Sequence, residues 1–75
     1  MKITKTIYED YRVVSTELVC ESERVYIFSK FLDMVSGIME QMNYPVRDMQ
    51  VYPDGSIEFS YTNHEEQTIV LQFDR

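Results

Sequence analysis

The segment Tyr52-Pro53-Asp54-Gly55 constrains the fold more tightly than any other part of this 75-residue chain. Proline presets φ at the second position of a turn, aspartate suits the third, and glycine takes the left-handed conformation that follows. A type I turn closed by a glycine bulge places Tyr52 opposite Ser56. This register pairs Val51 with Ile57, Met49 with Phe59, and Arg47 with Tyr61. Because apolar residues then meet apolar residues across the hairpin, apart from Arg47 near its end, turn chemistry and binary pattern predict the same pairing.

Other segments also have the pattern of β-strands. A second turn near Asn63-His64-Glu65 leads into a strand over residues 68–73, which completes a three-stranded meander. Residues 3–8 and 11–20 are rich in β-branched residues, and the second of these segments is expected to place Val14, Leu18 and Cys20 on one face. Glu9-Asp10 is either a turn between two strands or a bulge in one bent strand.

Between these regions the apolar period becomes helical. The pattern predicts a helix from Glu23 to Met42, about 30 Å long. Ser22 is suited to its N-cap, and Asn43 followed by Pro45 is suited to its C-terminal end. The apolar stripe consists of Val25, Phe28, Leu32, Val35, Met39 and Met42.

The apolar arc of this helix is wider than the ~100° that one supporting surface usually needs. The additional residues lie on one side of the stripe and are Ile27, Phe31, Met34 and Ile38. Two interpretations are open. Either residues 1–20 fold over the additional arc, or these residues form the seam of a homodimer.

Together the elements predict a single α+β domain over residues 1–75. It has two layers, one long helix packed on an antiparallel sheet, in the order β(β)-α-β-β-β with the C-terminal meander. The residues expected beneath the helix are Val51, Ile57, Phe59, Ile69 and Leu71.

The charge is negative and unevenly distributed. The chain has 13 acidic and 7 basic residues, for a net charge of −6. From Asp48 to Asp74 there is no Lys or Arg, yet there are six carboxylates. The sheet face turned away from the helix should therefore be acidic, which disfavours direct nucleic-acid binding and favours a basic protein partner. The competing interpretation is that these charges only solvate the surface.

Two surface groups follow as candidate contacts. The residues predicted to bind a partner are Asp48, Gln50, Tyr52, Glu58, Glu65 and Glu66. A second patch of acidic and aromatic character comprises Tyr8, Glu9, Asp10 and Tyr11. Tyrosine is enriched at interfaces because it offers apolar area and a hydroxyl at low entropic cost.

Residue types for catalysis are sparse. The chain has one cysteine, Cys20, and one histidine, His64, and no spacing typical of a metal, cofactor or phosphate site. We therefore expect no enzyme activity, no metal and no cofactor. The lone cysteine rules out an internal disulfide, and the absence of a signal-peptide pattern or a membrane-length apolar run favours the cytoplasm.

The sequence thus favours a small acidic protein–protein interaction module, an inhibitor or accessory factor that binds a basic protein surface. In its strongest form it would mimic the charge of nucleic acid, as a phage-encoded antagonist does in the host cytoplasm. The alternative is a structural subunit or homodimer built on the broad apolar helix face.

Overall fold

The computed structural model describes residues 1–22, 26–41, 48–63 and 65–74. Within these ranges the chain forms β1 (Lys2–Glu9), β2 (Arg12–Glu21), α1 (Tyr26–Gln41), β3 (Asp48–Val51), β4 (Ile57–Thr62) and β5 (Thr68–Asp74). The predicted helix caps, apart from Ser22, and the pairing of Arg47 with Tyr61 involve residues outside this description.

The five strands form one sheet in the order β2-β1-β5-β4-β3, and every neighbouring pair is antiparallel. The predicted α+β class and the C-terminal meander are confirmed. The predicted register is also confirmed, since Val51 lies opposite Ile57 and Met49 opposite Phe59. The N-terminal segments are two strands joined by a tight turn, in which Asp10 and Tyr11 have φ angles of 53° and 65°.

One face of the sheet packs against α1. The buried apolar core takes residues from β1, β4, β5 and α1 and consists of Ile3, Ile27, Phe31, Val35, Ile57, Phe59, Leu71 and Phe73. The aromatic rings of Phe28 and Phe31 lie 5.4 and 5.8 Å from that of Phe73. The helix therefore lies over β1 and β5 in the middle of the sheet.

The structure shows the first of the two interpretations of the wide apolar arc, in which residues 1–20 fold over it, whereas the predicted stripe is buried only in part. Ile27 and Phe31, placed in the candidate dimer seam, have no exposed surface. Met34 and Ile38, the other two seam residues, pack partly buried against the same core. The stripe residues Phe28, Leu32 and Met39 are instead 38%, 41% and 48% exposed. The helix is rotated toward the wider side of its apolar arc because β1 extends the sheet there and supplies Ile3 to the core.

Two strand predictions also need correction. Val51 was expected beneath the helix but is 70% exposed, because β3 is an edge strand beyond the reach of α1. Val14, Leu18 and Cys20 do not share a face. Register shifts in the β1–β2 pair place Cys20 opposite Ile3 on the core side and Leu18 opposite Thr4 on the other, since a bulge inverts the alternation of side chains.

Candidate partner-binding surface

The sheet face turned away from α1, here called the reverse face, carries the first four predicted contact residues close together. Gln50 in β3 lies directly opposite Glu58 in β4, and Asp48 lies opposite Ser60. Successive residues of a strand point to opposite faces, so Asp48, Gln50 and Glu58 share the reverse face. The strands β3, β4 and β5 contain no Lys or Arg, and this part of the face is therefore acidic.

Tyr52 extends this group at the end of β3. Its hydroxyl donates a hydrogen bond of 2.8 Å to Oε1 of Gln50. The pKa of Tyr52 is raised, first by partial burial of its ring and then by the carboxylates of Glu58 and Asp48. Both carboxylates disfavour the tyrosinate, as expected from residues whose strand positions place them on the same face.

The β3–β4 turn positions this group through the interactions that its sequence predicts. The Tyr52 carbonyl accepts a 2.9 Å hydrogen bond from the N–H of Gly55, whose φ is 93°. Oδ1 of Asp54 accepts hydrogen bonds from the N–H and the hydroxyl of Ser56, at 2.9 and 2.7 Å. The turn and the strands enclose a shallow depression of about 550 Å³, lined by Tyr52, Pro53, Asp54, Ser56, Glu58 and Gln72.

The remaining two predicted contacts lie elsewhere. Glu65 and Glu66 belong to the β4–β5 turn, in which Oδ1 of Asn63 accepts hydrogen bonds from the N–H groups of Glu65 and Gln67. This turn lies next to the β1–β2 turn, because Nε2 of Gln67 donates to Oε2 of Glu9 at 3.3 Å. The six predicted contact residues therefore form two separate groups on the structure.

The second group joins the acidic and aromatic patch that the sequence analysis kept separate. A depression of about 460 Å³ is lined by Tyr8, Asp10, Tyr11, Glu66 and Thr68. Thr68 and Gln72 line the two depressions and are four residues apart on β5, about 13 Å. The reverse face thus has an acidic and aromatic depression toward each end of the sheet.

Sequence reasoning placed Gln72 on this face but did not select it as a contact residue, and it did not assign Lys2 or Asp54 to the surface. Gln72 lines the first depression, Lys2 lies opposite Asp74 at the β1–β5 pair, and Asp54 is both a turn residue and a lining residue. The alternation of β5 identifies Gln72, but Lys2 could not be placed because the pairing of β1 with β5 joins the two ends of the chain.

The part of the chain that the structure describes gives little support for catalysis or metal binding. Cys20 is partly buried against the core, and His64 lies outside the description. Among the described residues no cluster of His, Cys, Asp and Glu side chains could hold a metal ion. Nor does any described helix combine the length and apolar character needed to cross a membrane.

Comparison with known proteins gives no relative on which to base a function. The chain matches no family model, no curated protein and no solved structure.

Proposed function

We propose that this chain is a small acidic protein–protein interaction module, an inhibitor or accessory factor that binds a basic protein surface through the reverse face. The observation that carries the proposal is the grouping of Asp48, Glu58 and Tyr52 on β3, β4 and the turn between them, two strands that contain no basic residue. Carboxylates arranged in this way steer a basic partner, and an aromatic ring among them supplies apolar contact.

The proposed setting is the cytoplasm. In the strongest form of the proposal the carboxylates take the place of nucleic-acid phosphates on a nuclease or similar basic protein, as those of a phage-encoded antagonist would. The alternative is a structural subunit or homodimer built on the broad apolar helix face; since Ile27 and Phe31 are buried within one chain, it would use the exposed Phe28, Leu32 and Met39 of that face.

The test compares two double variants with the same change in charge. Asp48→Lys with Glu58→Lys alters the reverse face, whereas Asp33→Lys with Glu40→Lys alters exposed positions on α1, in the other layer. Each tagged protein is used to capture partners from a lysate of the source cells, with elution in steps of rising salt and identification by mass spectrometry.

We expect the wild type and the helix variant to capture the same basic protein and to release it at moderate salt, because charge-steered complexes weaken with ionic strength. The reverse-face variant should capture little of it. Equal capture by both variants would remove the reverse face as the binding surface.

A further inference from the structure

The outer edge of β3 combines open backbone groups with apolar side chains that nothing in the described structure covers. Among the described residues, β3 pairs with β4 and no strand lies on its other side. On the face toward the helix, Met49 and Val51 are 44% and 70% exposed. These values are high for the core side of a sheet, where the neighbouring residues Ile57 and Phe59 are buried.

The helix also carries apolar residues that are exposed in the single chain. Phe28 contacts Phe73 of β5, as the buried Phe31 also does, and Phe28 is nevertheless 38% exposed. Leu32 lies four residues after Phe28, and Met39 lies seven residues after Leu32, so the three residues share one side of α1. The term open corner is used here for the exposed apolar surface of Met49 and Val51 on the face of β3 toward the helix.

The backbone of β3 is arranged to accept another strand. The N–H of Tyr52 donates to the carbonyl of Ser56 at 2.9 Å, so the backbone of Tyr52 faces β4. Orientation alternates along an antiparallel strand, and the N–H and C=O groups of Met49 and Val51 therefore point away from β4. The other sheet edge is less suitable, because register shifts interrupt β2 and bulges hinder edge pairing.

We propose that an extended peptide segment with alternating apolar and basic residues adds to β3 as a sixth strand. Its apolar side chains would enter the open corner, and its Lys or Arg side chains would lie beside Asp48 and Gln50 on the reverse face. This proposal rests on the proposed function and specifies the form of the partner. A second copy of this chain fits less well, because edge-to-edge pairing of two β3 strands would bring Asp48 and Glu58 of both copies together.

The experiment uses two synthetic peptides of the same composition. One is acetyl-Lys-Val-Lys-Ile-Lys-Val-amide, which alternates, and the other is acetyl-Lys-Lys-Val-Ile-Val-Lys-amide, which does not. Binding to the ¹⁵N-labelled chain is followed by amide chemical shifts and hydrogen exchange. We expect the alternating peptide to bind on the order of tenfold more tightly, since it gains backbone hydrogen bonds. Exchange should slow at Met49 and Val51 and stay unchanged at Gln50, whose N–H already faces β4.

Val51→Pro and Val51→Ala form the matched pair of variants. Proline removes the outward N–H but is tolerated on an edge strand, and alanine retains it. The preference for the alternating peptide should disappear in the proline variant and persist in the alanine variant.

The outcomes separate the two proposals. Equal binding of both peptides, with exchange unchanged at Met49 and Val51, would overturn strand addition and leave the acidic face as the binding surface. Binding of neither peptide would count against both. Slower exchange at Val51 that depends on protein concentration without peptide would identify a second copy as the occupant and overturn the proposal.

Discussion

Tyr11 has a backbone conformation that residues with large side chains rarely adopt. Tyr11 has a φ of 65° in the β1–β2 turn, and its side chain is fully exposed. A bulky residue is a rare occupant of the left-handed region, and this conformation costs on the order of 1–2 kcal/mol. No core contact offsets that cost.

We therefore expect Tyr11→Gly to stabilise the fold by about 1 kcal/mol, since glycine adopts this conformation freely but gains some freedom in the unfolded chain. Urea denaturation measures the change. Tyr11→Ala is the control, because it removes the ring and keeps the strained Cβ. Equal gains in the two variants would show that the ring, and not the backbone conformation, is unfavourable.

The raised pKa of Tyr52 predicts that the free energy of unfolding changes at alkaline pH. The folded-state pKa of this residue is raised above 10.0 by partial burial and by Glu58 and Asp48, and burial alone raises that of Tyr61. Below pH 10 both tyrosines are neutral in folded and unfolded chains. Above it the unfolded chain loses protons first, so the free energy of unfolding should fall until the pH passes the raised pKa values.

The check is urea denaturation of the wild type and Tyr52→Phe between pH 8 and 11. The difference in free energy of unfolding between the two proteins should shift in favour of the phenylalanine variant above about pH 10. A constant difference across this range would mean that folding does not raise the pKa of Tyr52.

At the scale of elements, the helix is held by the additional apolar residues, for which the sequence left open cover by residues 1–20 or a dimer seam. Phe31 is completely buried among core residues of the sheet, whereas Leu32 is 41% exposed beside it. Neighbouring positions of one helix therefore differ in what they contribute to stability.

Phe31→Ala should cost about 3–5 kcal/mol, a large part of the stability of a domain this small. Leu32→Ala should cost about 1 kcal/mol or less, because much of its surface is already in water. Thermal and urea unfolding followed by circular dichroism compares them. If Leu32→Ala were the more damaging change, the helix would be rotated relative to the orientation described.

At the scale of the whole molecule, the net charge of −6 opposes self-association. The carboxylates of β3 and β4 lie on the reverse face, and Ile27 and Phe31 of the proposed dimer seam are buried within one chain. We expect sedimentation equilibrium at low salt to give the 9.0 kDa of one chain. A mass of twice that value, unchanged by salt, would support the homodimer alternative.

The sequence alone determined the local features of this protein. The turn at Tyr52-Pro53-Asp54-Gly55 set the β3–β4 register, and alternation then placed Asp48, Gln50 and Glu58 on one face. These predictions were correct because each depends on residues a few positions apart, whose backbone preferences act without the rest of the chain.

Only the tertiary structure decided which side of α1 is buried and how the acidic residues are grouped. Both depend on β1 pairing with β5, a contact between the two ends of the chain that no local pattern encodes. That pairing brings Ile3 under the helix, rotates Phe31 into the core and places Glu66 beside the β1–β2 turn. A helix with apolar residues around half its circumference can pack in several orientations, and the surface it meets selects one.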